Sequence, residues 1–398
     1  MILSDVCEFI VDCPHSTAPD EGKGYPLIRT PNVGKGRLDL NGVHRVSESV
    51  YKQRIQRGAP RANDLIFARE APAGNVALVQ ENQTVCLGQR TVLIRPNVQK
   101  VNPQYLVYYL LSPKPQYELL GTANGATVAH VNLPAIRNLK IELPEKSVQD
   151  KIGTILVTYD DLIENNQKQI KLLEEAAQRL YKEWFVDLRF PGHENTKIVD
   201  GVPEGWRVAS IADICDTVGG GTPSTKIQSY YEKGDILWVT PTDITRNFSL
   251  ALLDTEKKIT PEGLKNSSAK MLPAETILMT SRASVGFFGM CKYEVCTNQG
   301  FISCIPKREN LQMYLLFNLK SRVEEIRQKA GGSTYLEISK TVFRELKIIL
   351  PKDEVLAEYQ KNVHDIFDEI YCRTEMIKSL VDMRNRLLPK LMSGEVEV

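Results

Sequence analysis

The chain lacks the short motifs that mark nucleotide-binding, methyl-transferring and nuclease enzymes. Its 398 residues contain no G-x-x-x-x-G-K-[ST] loop, no G-x-G-x-x-G after a strand, no Asn-Pro-Pro-aromatic tetrapeptide and no P-D…E-x-K pattern. The nearest approach to a phosphate loop, GGGTPSTK (Gly219 to Lys226), has the wrong spacing and a central proline. A glycine-rich surface loop is the simpler interpretation. These absences argue against an enzyme, and no catalytic residue is predicted.

Metal-ligand spacing and long apolar runs are also missing. The five histidines are scattered and no cysteine pair has C-x-x-C spacing, so no metal site is predicted. Eight cysteines without tight pairing fit free thiols in a reducing cytoplasm. No apolar run approaches the roughly 20 residues that span a bilayer, and Asp5, Glu8 and Asp12 replace the basic start of a signal peptide. We therefore expect a cytoplasmic protein without a membrane partner.

The composition is that of a folded protein with an uneven charge distribution. A length of 398 residues predicts two to three domains, and 42% hydrophobic with 25% charged residues argues against disorder. Residues 1–143 hold 16 Lys and Arg against 12 Asp and Glu, and residues 201–350 hold 19 against 16. Residues 144–200 hold 8 against 11, and residues 351–398 hold 7 against 10. Basic globular parts on acidic connectors slightly favour a nucleic-acid partner.

The most informative feature is an internal duplication at an offset of 207 residues. LKIELP (Leu139 to Pro144) matches LKIILP (Leu346 to Pro351), and a long heptad-patterned segment follows each copy. In this register Val148, Asp161, Ile163, Ile170, Lys171, Leu173, Arg179 and Leu180 match Val355, Asp368, Ile370, Ile377, Lys378, Leu380, Arg386 and Leu387. A domain and a helix therefore occur twice in one chain.

Both halves carry the same order of β-rich runs and one buried helix. In the first half these are Leu65 to Glu70, Val76 to Gln80, Thr91 to Pro96 and the helix Asn102 to Ser112. In the second half Thr276 to Met290 matches Leu65 to Leu78, Cys296 to Pro306 matches Cys86 to Pro96, and the helix Leu311 to Ser321 matches the first helix. Earlier in each half, Ile236 to Pro241 matches Pro26 to Pro31. The pattern predicts an α+β fold in which two mixed α/β domains share one architecture and differ in surface.

The two long segments predict coiled-coil helices. The first begins near Ser147 and the second is expected to kink or end at Pro389. Their apolar stripes are Tyr159, Ile163, Ile170, Leu173, Ala177, Leu180 and Trp184, and Ile366, Ile370, Ile377, Leu380, Leu387 and Leu391, with Asn166, Arg373 and Arg384 interrupting the seams. Each helix needs a partner to bury its stripe. Antiparallel pairing within the chain, in a pseudo-twofold arrangement with the domains at opposite ends, is preferred over a plain dimerisation coil.

These patterns divide the chain into four segments. The first head is residues 1–143, followed by a central helix at 144–190. A linker rich in glycine and proline opens the second head within residues 191–350, and a C-terminal helix occupies 351–398.

Polar residues suited to DNA contact cluster at matching places in both heads. Arg and Lys pair with guanine edges, Asn and Gln with adenine, and Ser or Thr with bases and phosphates. A solvated loop is the competing interpretation for each cluster taken alone. The candidates in the first head are His15, Ser16, Thr17, Arg29, Thr30, Asn32, Lys35, Arg37, Arg69, Gln89 and Thr127. Those in the second head are Thr222, Ser224, Thr225, Lys226, Thr240, Thr242, Asp243, Arg246, Ser281, Arg282, Gln299, Thr334 and Tyr335.

Some residues are equivalent between the heads. Gly74 and Gly286 match, and we expect both to form a tight structural turn. Gln89 matches Gln299, either for structure or near the contact surface, and Thr127 matches Thr334 at the 207-residue offset.

The whole chain resembles the specificity subunits of type I restriction–modification systems, which alternate target-recognition domains with conserved helices. PEKSVQDKI, RLYKEWFVD and the following Phe-Pro-Gly resemble the family's central conserved region. VPEGWRVASIADICDTVGGGTPSTK, GDILWVTPTDI, TSRASVG and LLPKLMSGEVEV are also similar to common family phrases. The first head departs from the pattern, because AREAPAG places Glu70 where the second head has Arg282.

The resemblance implies a function without catalysis in this chain. Each recognition domain would read one half of a bipartite, asymmetric site in double-stranded DNA, and the helices would fix the spacer and dock two modification subunits. Restriction subunits would complete the complex, and S-adenosylmethionine, ATP and magnesium would be bound by these partners. Three alternatives remain at this point: a coiled-coil scaffold that binds no DNA, a DNA-binding subunit without a restriction partner, and an enzyme with unorthodox motifs.

Overall fold

A computed structural model describes residues 1–121, 130–332 and 335–398. The chain forms two compact units: residues 1–164 with 379–398 make the first, and residues 165–378 make the second. The sequence boundaries separate heads from helices, whereas the division by contacts cuts through both long helices. Each unit therefore contains one head and part of each helix.

The head of the first unit is built on a five-stranded sheet. Its strand order is β1-β8-β5-β6-β3, with β3 parallel to β6 and the other neighbours antiparallel. A smaller sheet has the order β4-β2-β7. The strands are β1 Cys7–Asp12, β2 Tyr25–Ile28, β3 Gly36–Arg37, β4 Arg45–Val46, β5 Leu65–Ala68, β6 Val76–Leu78, β7 Cys86–Leu87 and β8 Thr91–Pro96. The three predicted β-rich runs of this head are confirmed as β5, β6 and β8.

The predicted buried helix of the first head is also confirmed. Asn102 caps it by accepting a hydrogen bond from the Tyr105 backbone N–H at 3.0 Å, and Pro103 occupies the first helical position. The apolar side chains of this helix pack with β5, β8 and the start of the first long helix in one core. The helices are α1 Glu48–Arg54, α2 Pro103–Leu111, α3 Pro113–Gly121, α4 Leu133–Arg137 and the long α5 Lys146–Tyr181, with 3-10 turns at Leu3–Val6 and Thr30–Asn32.

The second unit contains the same architecture. Its helices are α6 Ile211–Ile214, α7 Pro241–Thr245, α8 Pro261–Lys265, α9 Gln312–Ser321, α10 Val323–Gln328, α11 Lys340–Arg344 and the long α12 Asp353–Ser393, which the first unit shares. A π-helical turn spans Lys182–Val186, and 3-10 turns lie at His193–Asn195, Gln228–Tyr230 and Glu309–Leu311. The strands are β9 Ile198–Val199, β10 Val202–Pro203, β11 Arg207–Ser210, β12 Cys215–Gly219, β13 Ile236–Val239, β14 Lys258–Ile259, β15 Ile277–Thr280, β16 Phe288–Gly289, β17 Cys296–Thr297, β18 Phe301–Pro306 and β19 Lys347–Leu350.

Strand order and direction repeat between the heads. The order β12-β18-β15-β16 reproduces β1-β8-β5-β6, and β14-β13-β17 reproduces β4-β2-β7. The parallel pair β2–β7 aligns Leu27 with Cys86, as β13–β17 aligns Trp238 with Cys296. Two strand pairings differ among the described residues. The strands β11 and β19 form a ladder, whereas the first unit has an isolated bridge between Ile2 and Lys140. The parallel ladder β3–β6 corresponds to an isolated parallel bridge between Ala251 and Met290. The predicted α+β fold with repeated mixed domains is confirmed.

The long helices pair antiparallel in each unit. In the first unit Ile152 shares a core with Leu391, and farther along α5 the Asp160 carboxylate contacts Arg384. In the second unit Asn166 accepts a hydrogen bond from Arg373 at 3.2 Å, and the Ala177 carbonyl accepts one from Tyr359 at 3.5 Å. In each unit, the residue number of the contact on α12 falls as the residue number on α5 rises, which is the pattern of an antiparallel pair. The predicted seam is buried or half-buried at Ile163, Ile170, Leu173, Leu180, Trp184, Ile370, Ile377, Leu380 and Leu387.

The sequence predicts that the second helix kinks or ends at Pro389, and α12 does not end there, because it continues to Ser393. The kink stays a prediction. Proline removes one backbone donor, but packing can hold the turn that follows it. Leu391 is only 3% exposed in the core of the first unit, and the Gly394 N–H donates to the Leu391 carbonyl at 3.4 Å. None of the helices in the described ranges is long and apolar enough to cross a membrane.

Candidate nucleic-acid interface

The first recognition loop, residues 29–37, is tied to its head and to α5. Asn32 accepts a hydrogen bond from the Arg29 N–H at 3.1 Å and donates one to the Asp39 carbonyl at 3.2 Å. Arg37 forms an ion pair with Asp161 of α5. The loop is therefore fixed at both ends before any ligand binds.

Burial separates the candidates of this loop. Thr30 and Asn32 are buried, and Arg29 Nε is buried without a hydrogen-bond partner among the described residues. Lys35 is exposed. The structure thus gives Thr30 and Asn32 a role in shaping the loop, and Lys35 is the side chain that it offers to solvent. Their DNA contacts stay predictions.

The matching loop of the second head uses the same kind of cap. The Thr240 backbone N–H and hydroxyl both donate to Asp243, at 2.8 and 2.6 Å, and Asp243 also accepts from the Glu256 N–H at 2.8 Å. Thr242 and Arg246 are exposed. Thr242, Asp243 and Arg246 line an open groove of about 320 Å³ together with Lys378 of α12.

The segments that follow β1 and β12 are fastened by the equivalent glutamines. Gln89 donates to the His15 carbonyl at 2.9 Å, and Gln299 accepts from the Thr222 hydroxyl. Within the glycine-rich segment a Cβ on Gly220 would lie 2.1 Å from the Thr297 carbonyl oxygen, so this glycine permits close packing. The neighbouring candidates that remain exposed are His15, Ser16, Thr17, Ser224, Thr225 and Lys226.

The predicted glycine turns are confirmed, and they lie in a feature that we call the corner of each head. The corner is residues 69–74 in the first head and 281–286 in the second. Gly74 and Gly286 have φ angles of 89° and 87°. Their N–H groups donate to the Ala68 and Thr280 carbonyls at 2.9 Å.

Longer-range backbone bonds also repeat at the corners. The Arg69 N–H donates to Arg90 at 2.9 Å and its carbonyl accepts from Val131 at 2.9 Å. Ser281 forms the equivalent bonds with Gly300 and Ile338, at 2.8 and 3.0 Å. The two corners therefore share one backbone and can carry different side chains.

Arg69 is a structural centre of the first corner. Its guanidinium donates to the Val131 carbonyl at 2.9 Å, to Asp12 at 2.6 Å and to His130 Nε2 at 2.7 Å. The side chain is 11% exposed. These contacts join β1, β5 and the segment before α4, and the DNA contact assigned to Arg69 stays a prediction.

The predicted residues Arg69, His15 and Gln89 line a surface cleft beside the first corner. Three further ionisable side chains, which the sequence analysis did not predict as site residues, line the same cleft: Glu70, Arg90 and His130. Glu70 contacts Arg90 and lies 3.5 Å from His130 Nδ1. The 207-residue offset contained a signal, since it matches His130 with Glu337, which pairs with Arg282 at 3.6 Å.

The remaining candidates are placed as follows. Ser281 is buried, whereas Arg282, Gln299 and Tyr335 are exposed. Thr127 and Thr334 lie outside the described residues.

The cysteines are not arranged as nucleophiles. All eight are free thiols, and six of them are buried. Burial raises the pKa of Cys7 to about 12, of Cys86 to about 11 and of Cys296 to about 12. A raised pKa keeps these thiols protonated and unreactive near neutral pH.

One His-carboxylate cluster links the second head to α12. His364 Nε2 lies 3.2 Å from Glu275, its Nδ1 lies 3.5 Å from Asp368, and Lys292 pairs with Asp368 at 2.6 Å. The two ring nitrogens face different carboxylates, and a lysine already neutralises one of these. The arrangement is an ionic contact between head and helix.

The family profile "Type I restriction modification DNA specificity domain" matches residues 1–175 and 203–381. The chain belongs to this family. The match covers both heads and most of both helices, and it confirms the resemblance and a role in DNA sequence specificity rather than a scaffold that binds no DNA.

Relatives extend along nearly the whole chain. The specificity subunit of the type I restriction enzyme HindI of Haemophilus influenzae is 24% identical over 404 residues, covering 85% of this chain and 87% of the relative. The MjaIX specificity subunit of Methanocaldococcus jannaschii is 28% identical over 373 residues, covering 90% and 83%. The crystal structure of a type I restriction-modification S subunit from M. genitalium aligns with a TM-score of 0.60 at 16% identity, covering 98% of this chain and 95% of that one. That likeness shows the shared family fold.

Proposed function

We propose that this chain reads a bipartite, asymmetric site in double-stranded DNA, with one half-site for each head. The observation that carries the proposal is the repetition of one backbone with different side chains at equivalent places. Glu70 and Arg282 occupy the same position of the corner, as do Asn32 and Asp243 in the capped turns. Two heads of one fold with different polar surfaces suit two different short sequences.

The paired helices would set the spacer and hold the partner subunits. Their seams are buried within the chain, and large apolar side chains remain exposed on them. Leu172 is 63% exposed, and Met376 and Met383 are each 47% exposed. Single exposed apolar side chains are common on protein surfaces, so the docking of two modification subunits on these helices is proposed from the family. The family assignment supports this role.

Chemistry would reside in those partners. S-adenosylmethionine would be bound by the modification subunits, and ATP and magnesium by restriction subunits where a restriction partner exists. The buried thiols support a reducing cytoplasm as the place of assembly.

A head exchange tests the proposal. Residues 1–143 would be replaced by the corresponding head of a relative, and the chain expressed with its modification subunits in a host without other methyltransferases. Methylome sequencing should show one half-site replaced while the other half-site and the spacer stay unchanged. If the hybrid complex still methylates DNA and neither half-site has changed, the proposal that each head recognises one half-site is contradicted.

A further inference from the structure

At each corner one residue belongs to an arginine–carboxylate pair whose other member lies outside the corner, and the two pairs use different positions. In the first head Arg90 pairs with Glu70. In the second head Arg282, which is equivalent to Glu70, pairs with Glu337, which is equivalent to His130. An arginine–carboxylate pair therefore occurs in both heads, although the residues that form it are not equivalent. Packing of the shared backbone does not require such a pair at either set of positions, so we attribute it to function.

In the first corner the carboxylate is fixed and the arginine faces solvent. The Glu70 side chain is 11% exposed and that of Arg90 is 63% exposed. Arginine can only donate hydrogen bonds, so His130 Nε2 accepts from Arg69 and the N–H of this imidazole lies on Nδ1, toward Glu70. The chain Asp12–Arg69–His130 thereby holds Glu70 in place behind Arg90.

The second corner fixes the backbone that carries its carboxylate. The Glu337 N–H donates to the Gly331 carbonyl at 2.9 Å and its carbonyl accepts from the Gly331 N–H at 3.0 Å. Glu337 also forms a β-bridge with Arg282, and the side chains of Arg282 and Glu337 are 47% and 49% exposed. A second solvent-facing guanidinium thus lies 3.6 Å from a carboxylate whose backbone is fixed.

We propose that Arg90 and Arg282 each read a guanine, one in each half-site, and that Glu70 and Glu337 act as positioning residues. A guanidinium presents a planar fork of donors that matches guanine O6 and N7 in the major groove. A carboxylate that pairs with the fork restricts its rotamers while leaving the other donors free, which lowers the entropy lost on binding. This inference rests on the proposed function, and it predicts at least one G·C pair in each half of the site.

The test uses the chain in complex with its modification subunits and a DNA pool with both half-sites randomised. The wild-type complex should select a split site, and Arg90→Gln should lose on the order of 10- to 100-fold of guanine preference at one position of one half-site. Arg282→Gln should do the same in the other half-site. Arg90→Lys keeps the charge without the fork, so it should lose the preference while the salt dependence of binding stays unchanged. Arg61→Gln and Lys270→Gln, at exposed positions outside the corners, are the matched charge controls.

The positioning role has its own readout. Glu70→Gln and Glu337→Gln should reduce guanine preference at the same positions as the arginine variants and leave the salt slope unchanged. Uniform weakening across all sequences in the arginine variants, with the slope of log K against log salt reduced by about one, would indicate phosphate contacts and overturn the inference. A half-site without any G·C pair would also overturn it and leave the proposed function standing. Failure of the wild-type complex to select any split site would refute the proposed function itself.

Discussion

Gly36 lies at the point where the first recognition loop approaches the long helix. Its φ angle is 95°, and a Cβ there would lie 2.5 Å from Asp160 Oδ2 and 3.2 Å from Tyr108. We expect Gly36→Ala to destabilise the chain by more than the about 1–2 kcal/mol of left-handed strain alone. Gly42→Ala is the matched control, because Gly42 has a φ of 58° and nothing within 4 Å. Equal shifts of the urea midpoint in both variants would contradict this explanation.

The ionisation of the buried Cys296 thiol makes the stability of the second head depend on pH. Burial raises the pKa of its thiol from 9.0 to about 12. A raised folded pKa means that the unfolded state loses its proton first, so the stabilisation is complete below pH 9 and is lost as pH rises from 9 toward 12. Cys296→Ala should flatten the decline of the free energy of unfolding between pH 9 and 10.5, by up to about 1.4 kcal/mol per pH unit, as measured by urea titration at each pH. Cys372→Ala, at an exposed thiol, should not.

At the scale of elements, one buried carboxylate joins α2, α5 and α12. Asp160 is 2% exposed, accepts a hydrogen bond from the Tyr108 hydroxyl at 2.6 Å and pairs with Arg384. Burial and the adjacent carboxylate raise the pKa of Tyr108 above its ordinary value, which keeps the phenol a neutral donor. Arg384→Met leaves a buried charge without its ion-pair partner, and we expect a loss of about 3–5 kcal/mol in the free energy of unfolding.

The control for this change lies on α5, the helix that carries Asp160. Lys146 pairs with Asp150 at 2.6 Å, but both side chains are largely exposed. Lys146→Met should therefore leave the urea midpoint unchanged. A double-mutant cycle with Asp160→Asn should show strong coupling to Arg384→Met, and additive effects would refute a direct link between these helices.

Elements could be predicted from the sequence where they depend on local pattern. The heptad stripes located α5 and α12, and Asn166 and Arg373, which interrupt the two seams at an offset of 207 residues, pair with each other. Contacts between distant segments were missed, because Glu70 meets His130 only after two chain segments pair beside Arg69. The burial of Thr30 could not be predicted from a polar loop sequence either. It depends on a turn that is closed when the Asn32 side chain accepts a hydrogen bond from the Arg29 N–H.

At the scale of the whole molecule, duplication gives this chain two heads, and the proposed function implies that their specificities can change independently. The backbone bonds that build each corner come from its own head. Substitutions in one head therefore leave the other head's loops in place. A specificity protein built this way can alter one half of its target without losing the other.

Under the proposed function, the helices would set the remaining variable, which is the distance between the half-sites. Seven residues inserted in α5 between residues 164 and 165, with seven in α12 between 378 and 379, keep the heptad register of the seam. Each helix lengthens by about 10.5 Å at 1.5 Å per residue, which corresponds to about three base pairs at 3.4 Å each. Methylome sequencing should show a longer spacer between unchanged half-sites. The same seven residues inserted after Asp200, in the exposed turn between β9 and β10, should leave the spacer as it is. A spacer that stays constant when both helices are lengthened would show that the helices do not set it.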